Sequence, residues 1–267
     1  MRQIAFLTDW GLSSYYVGVT KSVIKQINEN VEIIDITHSA GHFNIKKYGC
    51  ILHRASFDFP TETVFLCVVD PTVGSNRKPI ALQTIQNNLF FVGPDNGLFS
   101  LVIEEFGLKK AVELSNEKYY YKKRSLTFHG RDIFAPVAAY LSKGITLNEI
   151  GKEIEYEDIE TFKIKKPEIT NNRLIFEYLY SDDFGNIETN LTPKYLSKIT
   201  SKSFFEVEIN GIKKEAFLVN NYSEVGKGDL IIHLDSSGYY EIAVNQGNAS
   251  KVFNISEDFD GQIKLYL

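Results

Sequence analysis

Short apolar runs alternate with amphipathic segments over the first 160 residues of the chain. Runs with the length and β-branched composition of buried strands occupy residues 4–8, 32–36, 64–69, 79–85 and 89–92. Apolar residues recur at helical spacing near residues 17–28, 44–57, 97–106 and 131–143. This alternation predicts an α/β domain with a central, mainly parallel sheet.

The pattern changes beyond about residue 170. Short runs rich in Ile, Val, Phe and Tyr, separated by Gly or Asn turns, lie at 173–180, 204–209, 214–219, 229–234, 238–244 and 261–266. They predict an all-β domain, either a sandwich or a small barrel. The charged stretch Lys163–Pro167 marks the boundary, so we expect an α/β domain over residues 1–165 and a β domain over residues 166–267.

Composition narrows the classes of function. The formal net charge of the 267 residues is -5, which argues against nonspecific binding of nucleic acid. No apolar run approaches the ~18 residues that span a bilayer, and a strand-like run begins at Ile4 without a signal-peptide pattern before it. Cys50 and Cys67 sit in apolar surroundings and predict buried, reduced thiols. We therefore expect a cytoplasmic protein.

The most informative segment is VVDPTVGSNRKPIAL, residues 68–82. An apolar strand ends abruptly at Asp70, a Gly-Ser turn follows, and Arg77 precedes the next apolar run. Open α/β sheets place their ligand crevice at the carboxyl ends of strands. We expect Asp70 and Arg77 to meet around this turn, at such a crevice.

Three further segments follow predicted strands in the α/β part. Asp9, in TDWG, suits two vicinal hydroxyls of a ribose, or alternatively caps the helix that starts near Ser14. His38, in ITHS, is a ligand, a catalytic base or a hydrogen-bonded structural residue. The segment GPDNG, residues 93–97, reads as a turn with a helix cap unless other features support a binding role.

His129 is chemically the best candidate proton carrier in the chain. It lies in the segment TFHGRD, residues 127–132, a Gly-flanked turn that opens a predicted helix. We expect Arg131 and Asp132 to form a salt bridge there. In the β part, DDFGN at 182–186 is a hairpin turn or a site for an ammonium group. The segments around Ser236 and Asn248 are turns, or they present backbone groups to a planar base.

No segment carries a dinucleotide-binding GxGxxG, a Walker loop, HExxH or GxSxG motif. The spacing of His, Cys, Asp and Glu does not match that of metal ligands, so we expect no metal site.

Taken together and in order, these motifs resemble one family. The set is TDWG, ITHS, VVDPTVGSNR, FVGPDNG, TFHGRDIFAPVAA, DDFGNIETN and SSGYYEIAVNQGNAS. It is similar to the S-adenosyl-L-methionine (SAM) hydroxide adenosyltransferases, which hydrolyse SAM to adenosine and methionine and are related to SAM-dependent fluorinases and chlorinases. The resemblance implies an α/β domain followed by a barrel-like β domain, no cofactor beyond the substrate SAM, and a homotrimer with active sites between subunits.

The resemblance also implies site residues. A catalytic trio falls on Asp70, Arg77 and His129, without deciding whether Asp70 or His129 accepts the proton. Ribose recognition falls on Asp9, and the aromatic beside the ribose or sulfonium falls on Phe43. The other implied substrate contacts are Thr127 and Phe128 in the pocket, Asp182, Asn186 and Ser236 at the methionine part, and Phe184, Asn248 and Ala249 at the adenine.

The chain departs from the family pattern at Trp10, Ser14, Thr72 and Ser237, where Phe, Asp, Gly and, in the halogenases, Arg are usual. The alternatives are a chlorinase-like halogenase and a noncatalytic protein that binds SAM or adenosine. Halogenases carry an aromatic residue at the position of Asp70, whose charge repels a halide. An intact trio argues against a pure binding module.

Overall fold

A computed structural model describes residues 2–122, 125–196, 203–256 and 258–267. The chain divides into two compact units, Met1–Lys163 and Ile164–Leu267. Within the described ranges, no helix has both the length and the apolar character needed to cross a membrane.

The first unit has a seven-stranded sheet. Its strands are β1 (Ile4–Thr8), β2 (Ile33–Thr37), β3 (Val64–Val68), β4 (Pro79–Thr84), β5 (Phe90–Pro94), β6 (Leu108–Glu113) and β7 (Lys152–Glu153), in the spatial order β2-β1-β3-β5-β4-β6-β7. The strands β2, β1, β3 and β5 run parallel, and β4, β6 and β7 add antiparallel pairs at one side. The predicted α/β architecture is confirmed.

Helices cover both faces of this sheet. They are α1 (Tyr16–Ile27), α2 (Ile45–Ser56), α3 (Ser100–Phe106), α4 (Ala135–Ser142) and α5 (Leu147–Ile150). Alternate residues of β1 and β3 pack into two separate apolar cores, one containing residues of α1 and α4, the other residues of α2 and α3. Because β1, β3 and β5 are buried on both faces, their sequences are almost continuously apolar.

The second unit contains a closed barrel, which decides between the two predicted β architectures. Its strands are β8 (Glu168–Thr170), β9 (Arg173–Ser181), β10 (Ile187–Thr189), β11 (Phe204–Ile209), β12 (Ile212–Leu218), β13 (Leu230–Leu234), β14 (Tyr240–Val244) and β15 (Gln262–Tyr266). Pairing runs β10-β14-β13-β12-β11-β15-β9, and β9 pairs with β10 to close the ring. Two single-turn helices, α6 (Pro193–Leu196) and α7 (Ala249–Val252), complete the unit.

Two sequence expectations need correction. The helix predicted from residue 97 begins at Ser100, because Asn96 and Gly97 form a turn in which the Asn96 side chain accepts from the Leu98 N–H. The strand β6 was not predicted, since Lys109 and Lys110 interrupt its apolar pattern. Its pairing with β4 overrides that weak local preference.

Candidate active site

Three carboxylates follow three neighbouring strands of the first unit. Asp9 comes directly after β1, Asp70 two residues after the end of β3, and Asp95 directly after β5. Because these strands are adjacent and parallel, their carboxyl ends share one edge of the sheet. The structure therefore places the predicted strand-end residues at the edge where α/β proteins bind ligands.

Asp70 and Arg77 meet around the turn that joins β3 to β4. The Arg77 Nε atom donates to both carboxylate oxygens of Asp70, at 3.0 and 3.1 Å, and Nη2 donates to Oδ2 at 2.5 Å. Their side chains are only 6% and 7% exposed, so this charged pair is largely shielded from water. The Arg77 guanidinium also lies 5.2 Å from the ring centroid of Phe134. A buried, charge-assisted pair of this kind holds both groups in one orientation.

His129 completes the cluster. The Arg77 Nη2 atom lies 2.9 Å from His129 Nδ1, so one guanidinium nitrogen reaches both the carboxylate and the imidazole. Arginine only donates hydrogen bonds, so Nδ1 must accept here and carries no proton. The proton of the neutral imidazole is then on Nε2, which makes that nitrogen a donor.

A π-helical turn carries His129 into this position. The turn spans Gly130–Phe134 and leads directly into α4, a local irregularity that is frequent at functional sites. The fully buried Asp132 anchors it, since its carboxylate accepts from the Ser125 N–H at 2.7 Å and from Arg131 Nε at 2.6 Å. The predicted pairing of Arg131 with Asp132 is confirmed, and it fixes the segment that carries His129.

Asp9 does not cap α1, and the helix-cap alternative is wrong. The helix begins at Tyr16, its N-cap Tyr15 makes no side-chain cap, and Asp9 Oδ2 instead accepts from the Phe43 N–H at 3.0 Å. Burial raises the pKa of Asp9, the Phe43 N–H lowers it, and the charge of Asp70 raises it further, with a net rise. The charge of Asp70 thus affects that of Asp9, as expected for carboxylates at one edge of the sheet.

Phe43 has an unusual backbone. Its φ is +60°, a left-handed conformation that is rare for an aromatic residue. This conformation points the N–H at Asp9, and Phe43 as a whole is 68% exposed. Strain of this sort is typical of functional positions, which fits an aromatic side chain held ready for a ligand.

Aromatic side chains surround the segment before His129. The ring of Phe128 makes edge contacts with Trp10 and Tyr16, at centroid distances of 5.4 and 5.2 Å. A cavity of about 420 Å³ opens here, and its lining residues are Trp10, Tyr15, Tyr16, Ser125, Thr127, Phe128 and Arg131. Thr127 and Phe128, both predicted substrate contacts, therefore line one open pocket.

Gly130 is required by the packing of Trp10. A Cβ atom at residue 130 would lie 2.5 Å from two atoms of the Trp10 ring. We expect Gly130→Ser to destabilise the protein by about 1–3 kcal/mol through overpacking, and Trp10→Phe to restore most of that loss in the double variant. Chemical denaturation of the four proteins measures this coupling. Equal stability of Gly130→Ser and the parent protein would refute the packing argument.

His38 and the segment Gly93–Gly97 have structural roles. The His38 Nδ1 atom lies 2.7 Å from Thr8 Oγ1, and its Nε2 lies 3.2 Å from Asp35 Oδ1, so His38 joins β1 to β2. Asn96 Nδ2 donates to the Val69 carbonyl, directly before Asp70, at 2.8 Å. This role of Asn96 was not predicted from the sequence, although its place after the strand next to β3 was a usable signal.

In the second unit, Asp182 and Asn186 form the ends of the β9–β10 turn, as the hairpin interpretation predicts. Asp182 Oδ1 accepts from the N–H groups of Phe184 and Asn186, at 3.0 and 2.8 Å, and Oδ2 accepts from Asn186 Nδ2 at 3.1 Å. Burial raises the pKa of Asp182, and the charge of Glu241 adds to that rise. Phe184, at the tip of the turn, is 78% exposed.

Asn248 lies against this turn. Gly185 has a φ of +84°, and a Cβ there would lie 2.1 Å from the Asn248 side chain, so only glycine fits. Asn248 Oδ1 caps α7 by accepting from the Lys251 N–H at 2.8 Å, and Ala249 is fully buried. Ser236 lies exposed in the separate turn between β13 and β14. Of the residues predicted for the second unit, the structure therefore gathers Asp182, Phe184, Asn186 and Asn248 at one turn.

Cys50 and Cys67 are both buried, as predicted, and no disulfide joins them. Burial raises the pKa of Cys67 well above its usual value, which keeps the thiol protonated. Within the described residues, no three His, Cys, Asp or Glu side chains group as a metal site would.

An α/β domain with a polar cluster at its strand ends, followed by a β-barrel, is also the pattern that comparison with known protein families finds for this chain. Residues 4–151 match the SAM hydroxide adenosyltransferase N-terminal domain, and residues 176–259 match the C-terminal domain of the same family. The chain belongs to the SAM hydroxide adenosyltransferase family.

Individual relatives agree with this assignment. The chain is 36% identical to the (R)-S-adenosyl-L-methionine hydrolase of Methanocaldococcus jannaschii, over 98% of this chain and 95% of that protein. It is 26% identical to a fluorinase of an Actinoplanes species, over 94% of each chain. The crystal structure of an uncharacterized conserved protein from Thermotoga maritima matches with a TM-score of 0.92 and 43% identity, over 99% of this chain and 100% of that one. Known hydrolases are thus nearer in sequence than this fluorinase.

Proposed function

We propose that this enzyme hydrolyses SAM to adenosine and L-methionine, with water attacking the ribose C5′ atom. The observation that carries the proposal is the buried contact of Asp70, Arg77 and His129 at the edge of the sheet. Relatives that are 30–36% identical over nearly their full length are named SAM hydrolases, which supports the same assignment.

The proposed reaction exchanges one bond at C5′. The bond between C5′ and sulfur breaks, its electron pair leaves with the sulfur, and the sulfonium becomes the neutral thioether of methionine. A bond forms between C5′ and the water oxygen, which keeps one proton in the adenosine hydroxyl and releases the other. The leaving group needs no proton, so the protein's task is to orient the water and accept one proton.

Within the trio, we assign Asp70 as the group that accepts the proton released by the attacking water. Arg77 occupies Nδ1 of His129, and the remaining ring nitrogen of the neutral imidazole carries hydrogen, so His129 is a donor that orients the water. A carboxylate only accepts, and Oδ1 of Asp70, which accepts from Arg77 Nε alone, retains a site for the water's proton. The guanidinium holds both partners and stabilises hydroxide character as the proton departs.

The remaining contacts of SAM are assigned as the family resemblance implies. Asp9 accepts from the ribose hydroxyls, and Phe43, Thr127 and Phe128 contact the region around C5′ and the sulfonium. The methionine part is held by Asp182, Asn186 and Ser236, and the adenine by Phe184, Asn248 and Ala249. Under this assignment the domain of residues 1–165 supplies catalysis, and the domain of residues 166–267 supplies contacts to the two ends of the substrate.

We further propose a homotrimer whose active sites form between subunits, the first unit of one meeting the barrel of the next. Large apolar side chains near the site support this, since Leu12, Tyr15 and Leu126 are 70%, 65% and 80% exposed in the described chain. Light scattering should then give about three times the 30.4 kDa mass of one chain.

A cytoplasmic location fits Cys50 and Cys67, which are buried and not joined by a disulfide, because such thiols persist in a reducing compartment. SAM is the substrate, and we propose no further cofactor, because its sulfonium already makes methionine a good leaving group. A net charge of -5 gives no support for a nucleic-acid partner.

The proposed function is tested by product analysis after incubation with SAM and chloride. We expect adenosine and methionine in equal amounts, at rates that do not depend on chloride. Formation of 5′-chloro-5′-deoxyadenosine would instead support the halogenase alternative. Bound SAM or adenosine without turnover would support a noncatalytic binding protein.

A further inference from the structure

Trp10 is a large aromatic residue at the edge of the sheet to which the proposed reaction gives no role. It follows Asp9 directly, and its ring is half-buried against the apolar core that contains residues of α1 and α4. The ring of Phe6, on β1, supports it through an edge contact at a centroid distance of 5.9 Å. The indole ring of Trp10 thus has a defined place next to the strand ends.

The Trp10 ring contacts the residues on both sides of His129. On one side it makes an edge contact with the ring of Phe128, at a centroid distance of 5.4 Å. On the other side its outer atoms, Cζ2 and Cη2, lie so close to Gly130 that a Cβ atom there would be 2.5 Å from each of them. One side chain therefore packs on the chain just before and just after the imidazole.

Gly130 is enclosed from a second side by strand β3. A Cβ atom at Gly130 would also lie 3.5 Å from Cγ1 of Val68, two residues before Asp70. Gly130 is the first residue of the π-helical turn, and its φ is not left-handed. Glycine is thus needed there for space, because the indole ring of Trp10 takes the room that a side chain would use.

The position of His129 depends on such contacts. Its side chain is only half-buried, and Arg77 contacts one of its two ring nitrogens. The π-helical turn that follows is a rare local geometry, so contacts from outside the turn are needed to keep it. A catalytic group must stay within about 0.5 Å of its productive position. Packing on both neighbours of His129 restricts the imidazole in this way.

We propose that Trp10 is a positioning residue for His129. Its indole ring holds Phe128 and Gly130, and these two neighbours keep the imidazole in contact with Arg77. The inference rests on the proposed function, because it concerns the imidazole that orients the attacking water. Trp10 acts through the segment that carries His129 and does not touch the reacting atoms.

Trp10→Phe shortens the ring and leaves the main chain in place. The Trp10 N–H donates to Thr8 Oγ1 at 3.4 Å, and the Gly11 N–H donates to the His38 carbonyl at 2.6 Å, so hydrogen bonds of the main chain hold this turn. A phenyl ring lacks the outer atoms of the indole, which leaves a gap above Gly130. Adding Gly130→Ala fills the gap with one methyl group, and the backbone of Gly130 permits alanine.

Phe99→Leu is a matched control, because Phe99 also packs an aromatic ring on a glycine. It is 2% exposed, and a Cβ atom at Gly93 would lie 2.9 Å from its Cζ atom. Phe99 belongs to the other apolar core of the same unit. We expect Phe99→Leu to lower the unfolding temperature and to leave kcat and the spectrum of His129 unchanged.

The test combines ¹⁵N NMR of the His129 imidazole with steady-state kinetics on the full-length protein. For Trp10→Phe we expect kcat to fall about tenfold, because a small displacement of a catalytic group lowers the rate of the chemical step. KM for SAM should stay at the parent's value. The single His129 tautomer of the parent, with Nδ1 unprotonated, should give way to averaged signals of two tautomers. The double variant Trp10→Phe/Gly130→Ala should regain most of the rate and the single tautomer.

An unchanged His129 spectrum in Trp10→Phe would overturn the inference, whatever the rate. So would a rise in KM with kcat unchanged, because Trp10 would then act as a substrate contact in the cavity that it lines. Failure of Gly130→Ala to restore the tautomer would show that packing on Gly130 is not the cause. The NMR comparison needs no turnover, so a parent protein that shows it but leaves SAM intact would contradict hydrolysis alone.

Discussion

Asp70→Asn is expected to lower SAM turnover on the order of a thousandfold while SAM still binds. Asparagine keeps the shape of Asp70 and an oxygen for Arg77, but it is far too weak a base to accept the water's proton. Single-turnover rates and equilibrium binding of SAM measure the two effects separately. Unchanged turnover would remove Asp70 from its assigned role.

Asp95→Asn is the matched control for Asp70→Asn. Asp95 follows the neighbouring strand β5, is 5% exposed, and accepts from the Glu160 N–H at 3.0 Å. It is thus a buried strand-end carboxylate at the same edge with a structural partner. We expect Asp95→Asn to lower the unfolding temperature and to leave the rate of the chemical step intact. An equal loss of rate in both variants would point to general damage at the sheet edge.

Arg77→Lys is expected to lower turnover on the order of a hundredfold, despite the conserved charge. Lysine presents one compact ammonium group and cannot reproduce the planar contacts to both Asp70 oxygens and to His129 Nδ1. We expect the ¹⁵N NMR spectrum of the parent protein to show His129 with an unprotonated Nδ1, and the variant to lose this fixed tautomer.

The control for this variant is Arg2→Lys. Arg2 donates to the Leu141 carbonyl at 3.0 Å, and its guanidinium lies 4.4 Å from the centroid of the Phe90 ring. It is an arginine of the same unit with structural contacts, and its replacement should not affect turnover. Full activity of Arg77→Lys, or a protonated Nδ1 in the parent protein, would contradict the proposed arrangement of the trio.

Much of the fold follows from patterns that are visible in the sequence. Strands β1, β3 and β5 are buried on both faces, so their apolar runs are continuous and easily recognised. The short strand β10 was missed, because only Ile187–Thr189 pair there and Glu188 interrupts the apolar run. Closure of the barrel rests on pairing of β9 with β10, a contact that local periodicity does not encode.

The part of the candidate site that could be predicted from the sequence is the part in which the reactive side chains lie close together along the chain, around one turn. Asp70 and Arg77 are seven residues apart around one turn, and their contact was expected from that spacing. The approach of Arg77 to His129, 52 residues away, depends on tertiary packing, and only the family resemblance indicated it.

The central claim is that water, held by Asp70 and His129, attacks C5′ of SAM. Its most direct test is incubation of the parent protein with SAM in H₂¹⁸O, followed by mass spectrometry of both products. We expect adenosine with ¹⁸O at its 5′ oxygen, together with unlabelled methionine. Release of 5′-methylthioadenosine with ¹⁸O-labelled homoserine would place the attack on the methionine chain and contradict the account.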